Sequence, residues 1–309
     1  MRRAGISFDI DSVASHLAGY GFDRVPEDGA ACRIAVPRIL DSLRRHGARG
    51  TFFLVAGEAR HHPEIVARIV SEGHEVASHS MTHRLPFTGL TEEDLAVEVV
   101  GSKALLESLA DCRVDGFRAP SWDAGPRLLR ALVEAGYRYD SSAYPSILLP
   151  LLRRSVARRS RGARRRTSRD EWSAVLAPAG PHLRQVDRQS LIELPMCTVP
   201  GVRLPYYHTL RFLAPGPVFD WIRRLAHARR GSVWYQFHAV DFLGLDEDRL
   251  DDRIARHPGM DLPLERKLFL ADDSIAALAR PGAPIPLREL LDHHFPSASP
   301  RTAARKKER

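Results

Sequence analysis

The chain has 309 residues, of which 44% are hydrophobic and 27% charged, with 21 Gly and 22 Pro scattered along it. This composition is typical of a globular protein and excludes a fibrous or wholly disordered chain. The net charge of +8 is concentrated in a block of nine Arg between Arg153 and Arg169 and in a tail that carries five basic residues against Glu308. The remaining chain is mildly acidic, so we expect no broad basic groove and no nucleic-acid partner.

The cysteines and the first residues of the chain indicate the cellular compartment. Cys32, Cys112 and Cys197 lie far apart, which predicts neither a disulfide framework nor a thiolate metal site. A strand-like run follows almost at once, without the apolar segment of a signal peptide, and no stretch approaches the roughly 20 apolar residues of a membrane span. We therefore expect a cytoplasmic location, with peripheral contact at the inner membrane face.

Short apolar runs alternate with amphipathic stretches along the first 145 residues. Periodicity predicts strands at 5–8, 51–55, 75–77, 116–118 and 137–141, and helices at 34–45, 64–70, 91–109 and 126–134. Such alternation is typical of a parallel sheet, closed or nearly closed, with its chemistry at the carboxyl ends of the strands.

The pattern breaks at Pro145. An apolar stub and the arginine block form a predicted insertion at about 146–180. Beyond it we predict strands at 191–196, 233–238 and near 285–287, and helices at 215–229 and 262–279. The expected organisation is one catalytic domain over residues 1–296 and a disordered basic tail over 297–309.

Two polar clusters at predicted strand ends indicate a metal site. Asp9 and Asp11 are separated by one residue after the first strand, a pattern that a turn or a helix cap would also explain. His79 and His83 are four residues apart, so on one helical turn both imidazoles could reach the same cation. Two imidazoles and one carboxylate leave coordination positions open for water and substrate, which favours catalysis.

A third cluster follows at residues 117–122, and a fourth at residues 139–144. An arginine at a strand end, Arg118, beside a carboxylate would lower that carboxylate's pKa and fix its direction. Ordinary ion pairing is the alternative explanation. His61, His62, His208, His293 and His294 lack partners at ligand spacing and are predicted to be structural or exposed.

Together these motifs resemble the polysaccharide deacetylase family (NodB homology, carbohydrate esterase family four), in its Asp-x-Asp branch. The matching segments stand in the family's order: Phe8 to Asp11, Gly50 to Phe53, Gly73 to His83, Arg118 to Trp122 and Tyr139 to Tyr144. The fold that the resemblance implies is α/β, a distorted (β/α) barrel of the NodB-homology type with about seven strands.

The resemblance also implies roles for individual residues. Asp9 matches the general base, Arg118 the residue that orients it, and His238 the general acid. Asp11, His79 and His83 match the ligands of a divalent metal, for which Zn²⁺ is the default. The expected substrate contacts are Pro120, Trp122, Asp140, Tyr144 and Pro195. Many members carry a second carboxylate that orients the acid histidine, and its place is taken here by Ala143; Asp140 and Asp241 are the alternatives.

The implied reaction is metal-dependent hydrolytic removal of an acyl group, acetyl or formyl, from an amino sugar in cell-envelope glycan metabolism. Residues 147–169 are predicted to form a basic amphipathic element that contacts anionic membrane, which favours a lipid-linked sugar. A solvated loop is the alternative interpretation of the same residues. Residues 237–241 are also similar to the end motif of undecaprenyl-phosphate aminoarabinose deformylases. Two alternatives remain: an amidase of a non-sugar linear or cyclic amide on the same site, and a non-catalytic membrane-surface binding module.

Overall fold

One eight-stranded sheet forms the centre of the protein. A computed structural model describes residues 3–22, 25–148, 175–229 and 231–296. Most of the predicted arginine insertion and all of the predicted tail therefore lie outside the described residues. The strands are β1 Ala4–Ile10, β2 Thr51–Leu54, β3 Glu75–Ser78, β4 Gly116–Phe117, β5 Tyr139–Asp140, β6 His182–Val186, β7 Gln189–Glu193 and β8 Val233–His238.

The strand order in the sheet is β6-β7-β5-β4-β3-β2-β1-β8. Every neighbouring pair is parallel except β6 and β7, which form an antiparallel hairpin. The sheet is curled into part of a barrel, which confirms the predicted distorted (β/α) barrel. The seven mutually parallel strands match the predicted number, and β6 is an addition that the sequence analysis did not predict.

Helices follow most of the strands, as the alternation predicted. They are α1 Val13–Gly19, α2 Val36–Arg45, α3 Ala56–Ala59, α4 Pro63–Ser71, α5 Glu92–Ala96, α6 Ser102–Ala110, α7 Pro126–Glu134, α8 His208–Leu213, α9 Gly216–Ala228, α10 Leu264–Ala279 and α11 Leu287–His294. Wider π-helical turns at Ala31–Ala35 and Val97–Gly101 lead into α2 and join α5 to α6. None of the helices in the described ranges has the length and apolar character needed to cross a membrane.

The central strands are held by an aromatic core. All seven residues of β1 are buried, and the Phe8 ring stacks on Phe52 at 5.1 Å and on Phe237 at 5.2 Å. Stacked rings of this kind join β1 to both of its neighbours. The Trp234 indole in β8 donates a 2.6 Å hydrogen bond to the carbonyl of Pro195, which follows β7. This bond connects the last strand to the far side of the curled sheet.

Near the end of the chain the predicted strand at 285–287 is wrong. Ile285 makes one parallel bridge to Gly5, but Pro286 has no amide hydrogen for a further ladder bond. The chain continues instead as α11, in which Leu287, Leu290 and Leu291 are fully buried at helical spacing. The apolar residues around Pro286 predict a strand only when they are taken alone; the leucines from Leu287 onward follow a helical period.

Candidate metal centre and active site

The end of β1 supplies both carboxylates of the predicted site. Asp9 and Asp11 are two residues apart and buried, with 2% and 5% exposure. Alternation along a strand directs such a pair to the same side of the sheet. The chain then enters α1, because the Ser12 side chain accepts a 3.1 Å hydrogen bond from the amide of Ser15 and caps the helix. The strand-to-helix junction therefore fixes the direction of Asp11.

Asp11, His79 and His83 converge as predicted. Their ligand atoms all lie within 4.8 Å of one another, and Asp11 Oδ1 is 3.0 Å from His79 Nε2 and 3.6 Å from His83 Nε2. Two ligands bound at about 2 Å to one tetrahedral Zn²⁺ lie roughly 3.3 Å apart, between these two values. Asp11 Oδ1 is buried and has no hydrogen-bond partner among the described residues. The three side chains therefore fit a divalent cation.

The expected helical turn at His79–His83 is wrong. The segment that follows β3 is irregular, with positive φ angles at Ser80 (71°) and His83 (56°). A left-handed residue reverses the chain direction locally, so the loop folds back and brings His83 next to His79, with ring centroids 5.1 Å apart. The four-residue spacing thus predicted that the two imidazoles lie close together, but not the irregular loop that brings them there.

Glu98 stabilises the loop that carries His83. Its Oε2 accepts hydrogen bonds of 2.9 Å from the amides of both Met81 and Thr82, and its Oε1 accepts one from the Thr82 hydroxyl. Glu98 is only 1% exposed and lies in the turn between α5 and α6. The sequence analysis missed this residue, because its position in an amphipathic helical pattern resembles that of any polar helix residue.

Hydrogen bonding and charge fix the states of the ligands. His79 Nδ1 lies 2.8 Å from the carbonyl of Arg118, so Nδ1 carries the proton and Nε2 is free to face Asp11. Burial alone would raise the pKa of Asp11, but the His79 and His83 imidazoles hold it well below its usual value. Burial lowers the pKa of His83 to about 4. Burial alone would lower the pKa of His79, but the Asp11 carboxylate raises it. A divalent cation binds the deprotonated forms of all three side chains, so it would displace a proton from His79.

A second cluster surrounds Asp9. The Arg118 guanidinium donates to Asp9 Oδ1, and Gln236 donates a 2.6 Å hydrogen bond to Oδ2. His238 Nε2 lies 3.8 Å from the same oxygen. Arg118 is itself anchored by Ser141, whose hydroxyl accepts from it at 2.9 Å. The structure therefore brings together the predicted trio Asp9, Arg118 and His238, and adds Gln236, which the sequence analysis missed.

Of the two carboxylates considered as partners of His238, the structure places Asp241 beside it. Asp241 Oδ2 accepts a 2.8 Å hydrogen bond from the His238 amide and lies 4.0 Å from Nδ1 of the ring. Asp140 is fully buried elsewhere, where it accepts from the Ser142 hydroxyl and pairs across the sheet with Glu193. The predicted substrate contact at Asp140 is thus not brought to the cluster.

Aromatic side chains stand next to His238. The Trp122 ring lies 6.1 Å from His238, 5.0 Å from Tyr144 and 6.3 Å from Tyr207, measured between centroids. Trp122 and Tyr144 were predicted here, whereas Tyr207 was not, because it lies in a loop without periodicity. Pro120 and Pro195, the other two predicted substrate contacts, are both buried, and the Pro195 carbonyl is engaged by Trp234.

His16 is a further group that the motifs did not reveal. It lies on α1, and its Nε2 is 3.8 Å from Asp11 Oδ2. Its ring faces His257 at 4.8 Å and His238 at 6.1 Å between centroids. Burial lowers the pKa of His16 to about 4, so the imidazole is neutral near pH 7. Its spacing from Asp11 matches no ligand pattern, so the sequence did not predict this contact.

The curled parallel sheet and its Asp-His-His cluster define a (β/α) barrel protein with a metal-type centre at the carboxyl ends of its strands. Residues 16–139 match the family model described as polysaccharide deacetylase. This match confirms the resemblance to that family predicted from the motifs. That family depends on a divalent metal.

Two curated relatives are similar to part of the chain, and one solved structure has the same fold. A peptidoglycan deacetylase from Helicobacter pylori is 30% identical over 140 residues, which are 43% of this chain and 47% of the relative. A chitooligosaccharide deacetylase from Sinorhizobium fredii is 32% identical over 88 residues, 28% of this chain and 40% of the relative. The chain thus spans less than half the length of these relatives. A Mycobacterium smegmatis crystal structure assigned to the polysaccharide deacetylases has the same fold, with a TM-score of 0.58, 20% identity, and 94% and 89% coverage of the two chains.

Proposed function

We propose that this protein is a metal-dependent deacetylase that hydrolyses the N-acyl bond of an amino sugar. The proposal rests on one observation: two neighbouring carboxylates have different surroundings. Asp11 faces His79 and His83 at ligand distances, whereas Asp9 faces Arg118, Gln236 and His238. A hydrolase of this type needs both a cation site and a proton-transfer site beside it.

Asp11, His79 and His83 would hold the cation, and Zn²⁺ is the ion that two imidazoles and one carboxylate favour. When bound, a divalent metal polarises the acyl oxygen and makes water a stronger nucleophile. His79 is held in the required tautomer by the Arg118 carbonyl. The chain's own contribution would thus be three side chains, buried at Asp11 and His79 and partly exposed at His83, that leave the remaining coordination positions to water and substrate.

Asp9 and His238 are the proposed proton-transfer groups. Asp9 accepts the proton of the attacking water, and Arg118 together with Gln236 holds its carboxylate in place. His238, whose Nε2 lies 3.8 Å from Asp9 Oδ2, delivers a proton to the departing nitrogen. Water thus adds to the acyl carbon, the carbon–nitrogen bond breaks, and the products are a carboxylate and a free amine.

The proposed substrate is an N-acetylated hexosamine unit of a glycan. The Helicobacter pylori relative is a peptidoglycan deacetylase, and the Sinorhizobium fredii relative is a chitooligosaccharide deacetylase. Trp122, beside His238, offers a partly exposed ring of the kind that packs against a sugar face. The amidase alternative would require an amide without a sugar, and hydrolysis of cyclic imides or ureido compounds in preference to N-acetylhexosamines would favour it.

The test compares Asp9→Asn with Asp11→Asn, two identical changes at positions two residues apart. Acetate release from chito-oligosaccharides and bound metal are measured for both variants and the wild type. We expect Asp11→Asn to lose both metal and turnover, and Asp9→Asn to keep the metal while its kcat falls by about 10²–10⁴-fold. A wild-type protein that binds metal but releases no acyl group from any amino sugar would support the non-catalytic module instead.

We further propose a lipid-linked amino sugar, met at the cytoplasmic membrane face, as the form in which the substrate is presented. The support is the sequence alone: nine Arg beside an apolar stub, at about 1 kcal/mol of attraction per basic residue near an anionic surface. Comparing hydrolysis of a polyprenyl-linked acylamino sugar with that of soluble chito-oligosaccharide tests this part. Turnover of the soluble substrate alone would reject lipid linkage while leaving the deacetylase proposal intact.

A further inference from the structure

A buried lysine lies behind the turn that follows His238. Lys267, in α10, has no exposed surface. Its ammonium donates hydrogen bonds of 2.8 Å to the carbonyl of Val240 and 2.6 Å to the carbonyl of Leu243. A third contact, at 3.0 Å, is the sulfur of Met260. All three donor positions of this ammonium are therefore used inside the protein.

An ammonium in such a place needs an explanation. Burying a charge is unfavourable unless hydrogen bonds compensate it, and an apolar side chain would fill the same volume without that penalty. Burial lowers the pKa of Lys267 to about 8, against the opposing effect of Asp241 and other carboxylates. The two carbonyls that Lys267 binds belong to the turn that begins at His238. Two of the three hydrogen bonds that compensate for burying the charge are thus made with the backbone beside the proposed acid.

Asp241 binds the first residue of the same turn, His238. Its carboxylate accepts from the amide of His238 at 2.8 Å and lies 4.0 Å from Nδ1 of the imidazole. Asp241 is fully buried, and its charge and that of Lys267 attract each other. Lys267 therefore fixes the middle and the end of a turn whose beginning, His238, is tied to Asp241.

We propose that Lys267 is a positioning residue for His238: by binding the carbonyls of Val240 and Leu243 it fixes the turn in which Asp241 binds the His238 amide, and so keeps the imidazole facing Asp9. This inference rests on the proposed function, in which His238 protonates the departing nitrogen. Lys267 itself touches neither the substrate nor the reacting atoms. Its loss should therefore affect the step that needs a proton on the leaving group and spare steps that do not.

Leaving-group chemistry separates this role from general damage to the site. An amino-sugar nitrogen must be protonated as it leaves, whereas the phenolate of 4-nitrophenyl acetate leaves without a proton. We expect Lys267→Met to lower kcat on chito-oligosaccharide by about tenfold to a hundredfold, since a misplacement of about 1 Å in a catalytic group costs rates of that order. Ester hydrolysis should change by less than about twofold, and KM and metal content should stay the same.

Two further variants complete the experiment. Arg266→Met changes the neighbouring exposed residue of α10 and should leave both reactions unchanged. If Lys267→Met fails to fold, Asp241→Asn tests the same turn from its other end. This variant keeps an acceptor for the His238 amide and should show the same amide-selective loss.

Three results would overturn the inference: equal losses on amide and ester, no loss on either, or loss of metal in Lys267→Met. A wild-type protein that hydrolyses neither substrate would count instead against the proposed function itself. The two failures are therefore distinguishable.

Discussion

Arg118 and Asp9 form an ion pair in which both side chains are 3% exposed. Removing one partner of such a pair leaves the other as an uncompensated buried charge. We expect Arg118→Met to lower the free energy of unfolding by about 3–5 kcal/mol and to abolish most turnover, because Asp9 loses its main anchor. Urea unfolding followed by circular dichroism measures the first effect, and acetate release measures the second.

The matched control is Arg127→Met, which removes an arginine whose pair with Glu92 is exposed, at 44% and 78% of the two side chains. A surface pair of this kind contributes about 0–1 kcal/mol, so this variant should unfold like the wild type. Equal destabilisation by the two substitutions would show that burial of the Asp9 pair carries no special weight.

At the scale of single residues the sequence predicted which polar side chains converge, but few of the residues that hold them in place. Asp9, Asp11, His79 and His83 stand in short motifs, so their convergence could be read from local spacing and strand ends. Gln236 contacts Asp9 across 227 positions of the chain, and no local pattern reports a contact of that range. The supports become visible only after the sheet has placed β8 beside β1.

The loop that carries His83 depends on a neighbouring element for its shape. Glu98 accepts two backbone hydrogen bonds and one hydroxyl bond from Met81 and Thr82. We expect Glu98→Ala to remove the acceptor of these three hydrogen bonds, to loosen the loop and to weaken metal binding by about 10–100-fold, the range typical of outer-shell substitutions. Competition with a chromophoric chelator gives the metal affinity directly, independent of turnover.

Glu98→Gln is the control for this prediction. Its amide oxygen can accept the two backbone hydrogen bonds and its NH₂ can donate to the Thr82 hydroxyl, so the loop should keep its shape and the protein its metal affinity. If Glu98→Gln loses metal as strongly as Glu98→Ala, the negative charge near the cation site would matter more than the loop geometry.

Elements with a clear period were predicted well, and the others were not. Helix α7 and strand β8 have the predicted bounds, because the buried leucines of α7 recur at helical spacing and β8 is one continuous buried run. In β6 only Val186 is buried, so an edge strand with polar side chains gave no apolar signal. The left-handed residues Ser80 and His83 are likewise invisible to periodicity, which assumes regular backbone.

On the scale of the whole molecule, the parallel sheet and the hairpin meet at a buried carboxyl pair. Asp140 in β5 stands opposite Glu193 in β7, and both are fully buried. Arg184 offsets part of the charge, with its guanidinium 3.1 Å from Glu193. Burial raises the pKa of Asp140 to about 6. Burial and the charge of Asp140 together raise the pKa of Glu193 from 4.5 to about 8.

These shifts predict how the stability of the whole fold changes with pH. A carboxyl whose pKa is higher in the folded state binds its proton more tightly there than in the unfolded chain. The stabilisation is therefore complete below the unfolded value near 4.5 and is lost as the pH rises through about 8. We expect the unfolding free energy of the wild type to fall between pH 5 and pH 8, measured by urea denaturation at each pH.

Glu193→Gln isolates the contribution of this group from that of every other titrating residue. The amide cannot ionise, so the variant should lose less stability than the wild type over the same pH range, and the difference between their unfolding free energies should grow in favour of the variant toward pH 8. Glu92→Gln, at a position 78% exposed in its side chain, should follow the wild-type curve. Parallel curves for Glu193→Gln and the wild type would mean that Glu193 is already ionised in the folded protein at pH 5. The charge of Arg184 would then fully compensate that of the Asp140–Glu193 pair, and the junction between sheet and hairpin would not limit the stability of the fold at high pH.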